Sequence, residues 1–380
     1  MAGQPENFGF GEDEAMLRDA ARRFFQDHYG ADALHALVAG DSDLHRPNVA
    51  SWEPDHWRQI VELGWPAVSV PEAEGGVGLP LVAAVALAEE AGRAGFPSPL
   101  LSTLKAAYVL RACDTAAARE ALRAIAGGMA TSVAMHDRRG GFGDGATDVT
   151  CADGRLHGAA SFVQEARKAD RYLVRARHAN GCGLYLVEAG ADGLEVAPDA
   201  IVDLTRDQAT LSFRGVEAVE VAPPGWGDAA LARALPAMLC IVSADLVGAG
   251  EWLLQTTVEY ARTRTQFDRP LGFFQAVKHP LVNCMMAIDG AKSLTYNAAC
   301  AVDHEPERAL RYARMAKAAA SDMAVSTASR AVQLHGGIGF TWECHVHVFF
   351  KRQMHGQVLL GDARHHRALL ADEVIGVMAA

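Results

Sequence analysis

Between about residues 129 and 221 the chain abandons helical periodicity for short β-rich runs, with long helical patterns on either side. The runs fall at 147–151, 155–163, 171–176, 183–188, 194–197, 209–213 and 218–221, punctuated by turns at Asp153-Gly154 and Asn180-Gly181. No long helical pattern alternates with these strands. A parallel Rossmann sheet is therefore disfavoured, and a small antiparallel barrel or sandwich is expected. The flanks settle the class as α+β and mainly α.

On the N-terminal side, 12–28 places Ala15, Leu17, Ala20, Ala21, Phe24 and Phe25 largely on one face. Segments 55–63 and 81–94 repeat the pattern, with a turn-rich break at 71–78 between them. Pro223-Pro224-Gly225 closes the β region. Beyond it the spacing predicts helices at 228–262, 274–303, 306–334, 341–355 and 363–378. The third is rich in alanine (Ala313, Ala316, Ala318, Ala319, Ala320, Ala324, Ala328), which permits close helix–helix approach in a bundle. The expected domains are 1–127, helical; 128–225, β; and 226–380, a helical bundle. Phe349, Phe350 and Trp252 are expected in the core.

A net charge of −11 and a pI near 5.7 argue against a nucleic-acid binder, whose footprint is basic. No apolar run reaches the roughly eighteen residues of a membrane span. The N-terminus has neither the basic start nor the apolar core of a signal peptide, so a cytoplasmic protein is expected. Seven scattered cysteines without a Cys-x-x-Cys read as reduced, mostly buried thiols. His345-x-His347 and His365-His366 lack metal-like companions at sensible spacing, and no metal is expected. The run 140–145 is glycine-rich without a surrounding strand–turn–helix, and reads as a flexible loop rather than a dinucleotide site.

Two segments carry chemistry. In the first, Arg262 and Arg264 stand near a helix end, followed by Thr265, Gln266, Phe267 and a Pro270-Leu271-Gly272 turn. Such cationic forks suit a phosphate or carboxylate, though a solvated helix end uses the same residues. In the second, Gln333-Leu334-His335-Gly336-Gly337-Ile338-Gly339-Phe340 lies between two helices. Paired glycines admit a ligand to the backbone, and a helix C-cap would need them too.

Taken together these segments are more specific. Arg264-x-x-Phe267, Gln275 eight residues on, and Gln333-x-x-Gly336-Gly337 resemble the C-terminal domain of the acyl-CoA dehydrogenase family. Leu63-Gly64-Trp65, Val70-Pro71-Glu72, Gly75-Gly76, Glu89-Glu90-Ala91-Gly92-Arg93 and Asp203-Leu204-Thr205-Arg206 resemble its other regions. The resemblance implies an N-terminal helical domain, a central antiparallel β-domain and a C-terminal four-helix bundle. It also implies FAD held between subunits, with Arg264, Thr265, Gln266, Phe267, Gln275, Gln333, Leu334, His335, Gly336 and Gly337 serving the cofactor of a neighbour. Arg264 and the Gln333–Gly337 loop would meet the diphosphate, and Gln275 the adenine side.

The chain departs from the family where the base should be. The usual glutamate position is Leu360, and the alternative position, near the start of the first C-terminal helix, is Met238. Asp362 is the nearest carboxylate and stands where an N-cap is expected; Asp245 lies two turns beyond Met238. The family's Thr-Glu-Pro and Trp-x-Thr flavin-lining segments correspond to 134–140 and to Ser161-Phe162-Val163-Gln164. Catalytic residues therefore stay unassigned.

The expectation is the subunit lacking the base in a heteromeric enzyme of the steroid side-chain or pimeloyl-CoA type. It would act on an acyl-CoA with a paralogous subunit and an electron-transfer flavoprotein, and with neither nucleic acid nor membrane. The alternatives are an independent flavoenzyme of altered chemistry (monooxygenase, oxidase or desulfinase-like) and a catalytically silent binding protein.

Overall fold

The computed structural model describes residues 4–39 and 52–376. Its helices are α1 Glu12–His28, α2 Ala31–Ala39, α3 Pro54–Glu62, α4 Leu81–Arg93, α5 Leu100–Arg111, α6 Ala116–Ala126, α7 Gly227–Thr263, α8 Gln275–His304, α9 Pro306–His335, α10 Val346–Gly356 and α11 Ala363–Ile375. The strands are β1 Thr131–Ala134, β2 Asp148–Ala152, β3 Arg155–Gln164, β4 Arg171–His178, β5 Gly181–Glu188, β6 Leu194–Pro198, β7 Gln208–Glu217, β8 Val219–Ala222, β9 Thr265–Gln266 and β10 Arg269–Pro270. The chain divides into two compact units, one of residues 1–40, 81–96 and 239–380, the other of 41–80 and 97–238.

The second unit is built on a sheet of order β6-β7-β3-β2-β4-β5-β8, with β1 beside β4. Its long ladders are antiparallel, as expected, but β4 pairs in parallel with β1 and, through Thr150 and Arg177, with β2. The sheet is mixed because β1, which follows α6 directly, enters alongside β4. That strand is too short to stand out from the sequence. Alternation buries Val149, Leu156, Tyr172, Val174, Tyr185 and Phe213 in one core. The 140–145 loop, read as flexible, is pinned: the buried Arg175 guanidinium donates to the carbonyls of Phe142 (3.1 Å) and Gly143 (2.7 Å) and pairs with Asp228.

The first unit is helical. α8 and α9 pack along their length, and Ala313, Ala316, Ala320, Ala324 and Ala328 are buried there. α4 is buried almost throughout and crosses α7 backbone to backbone. A Cβ on Gly92 would collide with the Asp245 carbonyl, and one on Gly248 with the Glu89 carbonyl. Two buried carboxylates sit at this crossing. Glu90 takes Arg22 in a fork (2.7 and 3.1 Å), while Glu89 takes Lys292 (2.6 Å) and Tyr296 (3.1 Å). Arg93 and Lys292 both reach Glu251, which completes a paired network and removes the cost of isolated buried charge.

Contrary to the reading of the sequence, α7 is long and apolar enough to span a membrane, but most of its apolar stretch is buried inside the protein. Phe349 is core, stacked on Trp252 at 3.8 Å; Trp252 is half-buried and with Phe349 walls a cavity of about 380 Å³. His347 and His366 are buried, and His35 from α2 packs against His345.

Because the α4–α7 crossing has no room for a methyl group, Gly248→Ala should lose roughly 1–3 kcal/mol of stability or more. Urea or thermal unfolding reads this, and an unchanged midpoint contradicts the crossing.

Candidate functional site

The two chemistry-bearing segments, some seventy residues apart in sequence, meet in space. α7 ends one turn after Tyr260, and α9 ends at His335. The two rings stack at 4.3 Å and 22°, and the Tyr260 hydroxyl lies 3.5 Å from the His335 carbonyl. His335 is buried, its Nδ1 2.9 Å from the Ala331 carbonyl, and burial lowers its pKa. Its ring therefore serves the helix junction. Leu334 is half-buried, while Gln333, Gly336 and Gly337 are exposed.

Beyond α7, β9 and β10 form a hairpin through Gln266–Arg269 and Thr265–Pro270. At its tip Phe267 and Asp268 both have positive φ, 54° and 58°. This is the geometry of a two-residue hairpin turn that usually takes Asn-Gly. Phe267 is 88% exposed, and Arg264, Thr265 and Gln266 are exposed beside it. Gln275 opens α8, whose first amides no side chain caps. Phe340, at the end of the other segment, is 69% exposed.

These residues fit a diphosphate-bearing cofactor approaching from outside the chain. Gly336, at φ 65° and ψ −144°, needs to be glycine for its backbone. A Cβ on Gly337 would meet nothing within 4 Å, so no contact in the chain accounts for that glycine. Open backbone, an exposed arginine and an uncapped helix start are each features that an anion uses.

The turn between α10 and α11 carries Leu360, 6% exposed and left-handed at φ 57°. Side chains clamp its backbone. Lys317 of α9, wholly buried, donates to the carbonyls of Gln357 and Gly361 and to Ser321 Oγ at 2.7–2.8 Å. His366 Nε2 lies 2.9 Å from the Leu360 carbonyl. Burial lowers Lys317 to about 7, with Asp362 pulling it the other way. Burial, and then Lys317, lower His366 to about 4, so its neutral ring donates from Nε2. Asp362 caps α11 by accepting the His365 amide at 2.8 Å. Met238 is buried, and Asp245 is taken up by buried Arg352. Neither base location offers a proton acceptor. Lys317 escaped the reading of the sequence, although it is the single charge in the stretch 315–321.

In the second unit the two flavin-lining segments also meet, Ser161 donating its amide to the His136 carbonyl at 3.2 Å. The Gln164 side-chain amide is engaged within the chain. Gln164 Nε2 donates to Gln208 (2.7 Å) and to the Phe162 carbonyl (3.1 Å). The His136 ring stands edge-on to Phe142 at 5.8 Å, and burial and Lys105 lower it to about 4. β3 bulges here, with Phe162 and Glu165 both left-handed. The residues at this edge do not fit a flavin ring as the family's threonine and tryptophan would.

The Lys317 pKa is lower folded than the ordinary 10.5 of lysine. Between these values the unfolded chain binds the extra proton, so stability rises with pH across about 7–10. The difference between wild type and Lys317→Met should show that slope; a flat difference would mean that Lys317 keeps its ordinary pKa in the folded chain and would refute the lowering by burial. Asp362→Ala should cost about 1 kcal/mol as a lost cap, measured by urea unfolding; a loss near zero would deny the cap.

Residues 11–136 match the acyl-CoA dehydrogenase N-terminal domain, and residues 230–375 the acyl-CoA dehydrogenase C-terminal domain. The chain is 30% identical over 364 residues to acyl-CoA dehydrogenase IpdE2 of Mycobacterium tuberculosis, covering 96% of this chain and 98% of that one. It is similar to a solved chain of a Tcur3481-Tcur3483 steroid ACAD variant, at 31% identity and TM-score 0.85, over 96% of this chain and 98% of that one. A chain of the ChsE4-ChsE5 complex from Mycobacterium tuberculosis superposes at 25% identity and TM-score 0.85, over 98% and 100%. With two domains matched in order and a relative aligned end to end, the chain belongs to the acyl-CoA dehydrogenase family.

Proposed function

We propose that this chain is the subunit lacking the base in a heteromeric acyl-CoA dehydrogenase, and that it lends half of a flavin site to a paralogous subunit. The observation that carries the reading is an asymmetry. Arg264, Thr265, Gln266, Phe267, Gln275, Gln333, Gly336 and Gly337, which would serve a neighbour's FAD, are exposed around the ends of α7 and α9, whereas Leu360 and Met238 are apolar and buried. Similarity to a chain of the ChsE4-ChsE5 complex and to a Tcur3481-Tcur3483 steroid ACAD supports a two-component enzyme, and a bulky, steroid-derived acyl-CoA as substrate.

FAD is the family's cofactor. When bound, it supplies the electron acceptor for α,β-desaturation of the thioester, with an electron-transfer flavoprotein as the onward acceptor. This chain's part is binding and orientation. Arg264 offers its guanidinium to the diphosphate, Gly336 and Gly337 their open backbone, and Gln275 its amide to the adenine side. Thr265, Gln266 and Phe267 shape the hairpin that covers the cofactor, Gln333 borders the glycines, and Leu334 and His335 hold the helix end in place. The partner supplies the carboxylate that takes the α-proton, a task neither leucine nor methionine performs.

Expressed alone, the chain should purify flavin-poor and inactive, and co-expression with the paralogue should restore both flavin and desaturation. A yellow, active homo-oligomer of this chain alone would contradict the reading and favour an independent flavoenzyme. In the co-expressed complex Arg264→Ala should weaken FAD retention by roughly 10-fold or more, the loss of a charge-assisted contact; equal retention in wild type and variant would remove Arg264 from the site.

A further inference from the structure

The cavity of about 380 Å³ walled by Trp252 and Phe349 lies wholly within the helical unit. α7 lends it Trp252, Thr256 and Glu259, and α1 lends it Arg22, Phe25 and Tyr29, each set at the spacing of a single helix face. Its size and aromatic lining are those of a small-molecule pocket. Phe349 covers one face of the Trp252 indole, and the half-buried remainder of that ring system borders the open space. Phe25 and Tyr29, 3% and 5% exposed, are backed by Phe96 at 4.9 and 4.8 Å. The aromatic walls are therefore fixed before any ligand arrives.

The polar groups narrow the choice of ligand. Arg22 gives Nε and Nη2 to Glu90, and Arg93 gives Nη2 to Glu251 while its Nε stands 3.4 Å from Glu90. Among the described residues neither Nη1 has a partner, and guanidinium nitrogens only donate. Both guanidiniums meet the one Glu90 carboxylate, so their free edges are neighbours. The network around them is balanced, with Arg22, Arg93 and Lys292 against Glu89, Glu90 and Glu251. Glu259 also lines the cavity, and among the described residues no cation is paired with it. An anion would meet that carboxylate, and a cation would meet two guanidiniums. An uncharged acceptor meets neither penalty.

We propose that this cavity binds a flat, uncharged ring compound carrying a carbonyl oxygen. The ring lies against Trp252 between the aromatic walls, and the oxygen accepts from Nη1 of Arg22 and Arg93. Ring stacking supplies the apolar contact, and the two donors fix the orientation. The site uses none of the residues assigned to the flavin, and it stands whether or not the chain works with a paralogue.

Equilibrium dialysis of the full chain, alone and in the co-expressed complex, tests this with the bicyclic ketone 1-tetralone as probe. The ketone should bind saturably. Tetralin, which has the same rings without the oxygen, and 1-naphthoate, which carries a charge, should each bind roughly 10-fold more weakly. Thr256→Trp, which fills the cavity from α7, should abolish binding with circular dichroism unchanged. Arg22→Lys keeps a cation for Glu90 and removes the free guanidinium edge; it should weaken the ketone several-fold and leave tetralin as it was. Absence of saturable ketone binding would overturn the proposal. So would tetralin or naphthoate binding as tightly as the ketone, or undiminished binding in Thr256→Trp.

Discussion

The close crossing of α4 and α7 is the constraint on which the helical unit depends. With Gly92 against the Asp245 backbone and Gly248 against that of Glu89, no side chain separates the two helices there, and Glu89 and Glu90 are carried into the interior beside them. Buried carboxylates need cations at fixed places. Arg22, Arg93 and Lys292 meet that need and tie α1, α4, α7 and α8 in one register. Once α7 is fixed, its far end is fixed too. Tyr260 then meets His335, and two segments distant in sequence become one surface.

The turn around Leu360 is held rigid by side chains on three sides. Lys317, Ser321 and His366 hold the carbonyls of Gln357, Leu360 and Gly361, and Leu360 is held in the left-handed region. A left-handed non-glycine residue is costly and persists only when its surroundings over-determine it. The clamp supplies that determination without any acid at residue 360. The geometry of the turn and the acidity of residue 360 are thus separable.

Much of this was legible in the sequence, for physical reasons. The helices α7, α8 and α9 were found to within one residue at each end, because long apolar periodicity and clear breaks bound them; α11 starts at Ala363 as expected but ends at Ile375, and the last expected residues, 377–378, lie outside the described ones. α10 begins at Val346 rather than near 341, because residues 336–340 form a 3-10 turn that carries the helical spacing backwards. β1 was missed because four residues carry too little alternation to register. Asp362 was read correctly as a cap, since a helix start demands one. Lys317 was not foreseen, because a lysine within an alanine run looks like a solvated position until burial and its three acceptors are known.

The central claim is that the chain completes a flavin site without housing one of its own. The flavin-to-protein ratio of the purified, co-expressed complex tests it most directly, by the absorbance of released FAD against quantified chains. The account predicts one FAD for each pair of unlike chains. Two FAD per pair would mean that the edge around His136 and Gln164 does hold a flavin ring, and would contradict it.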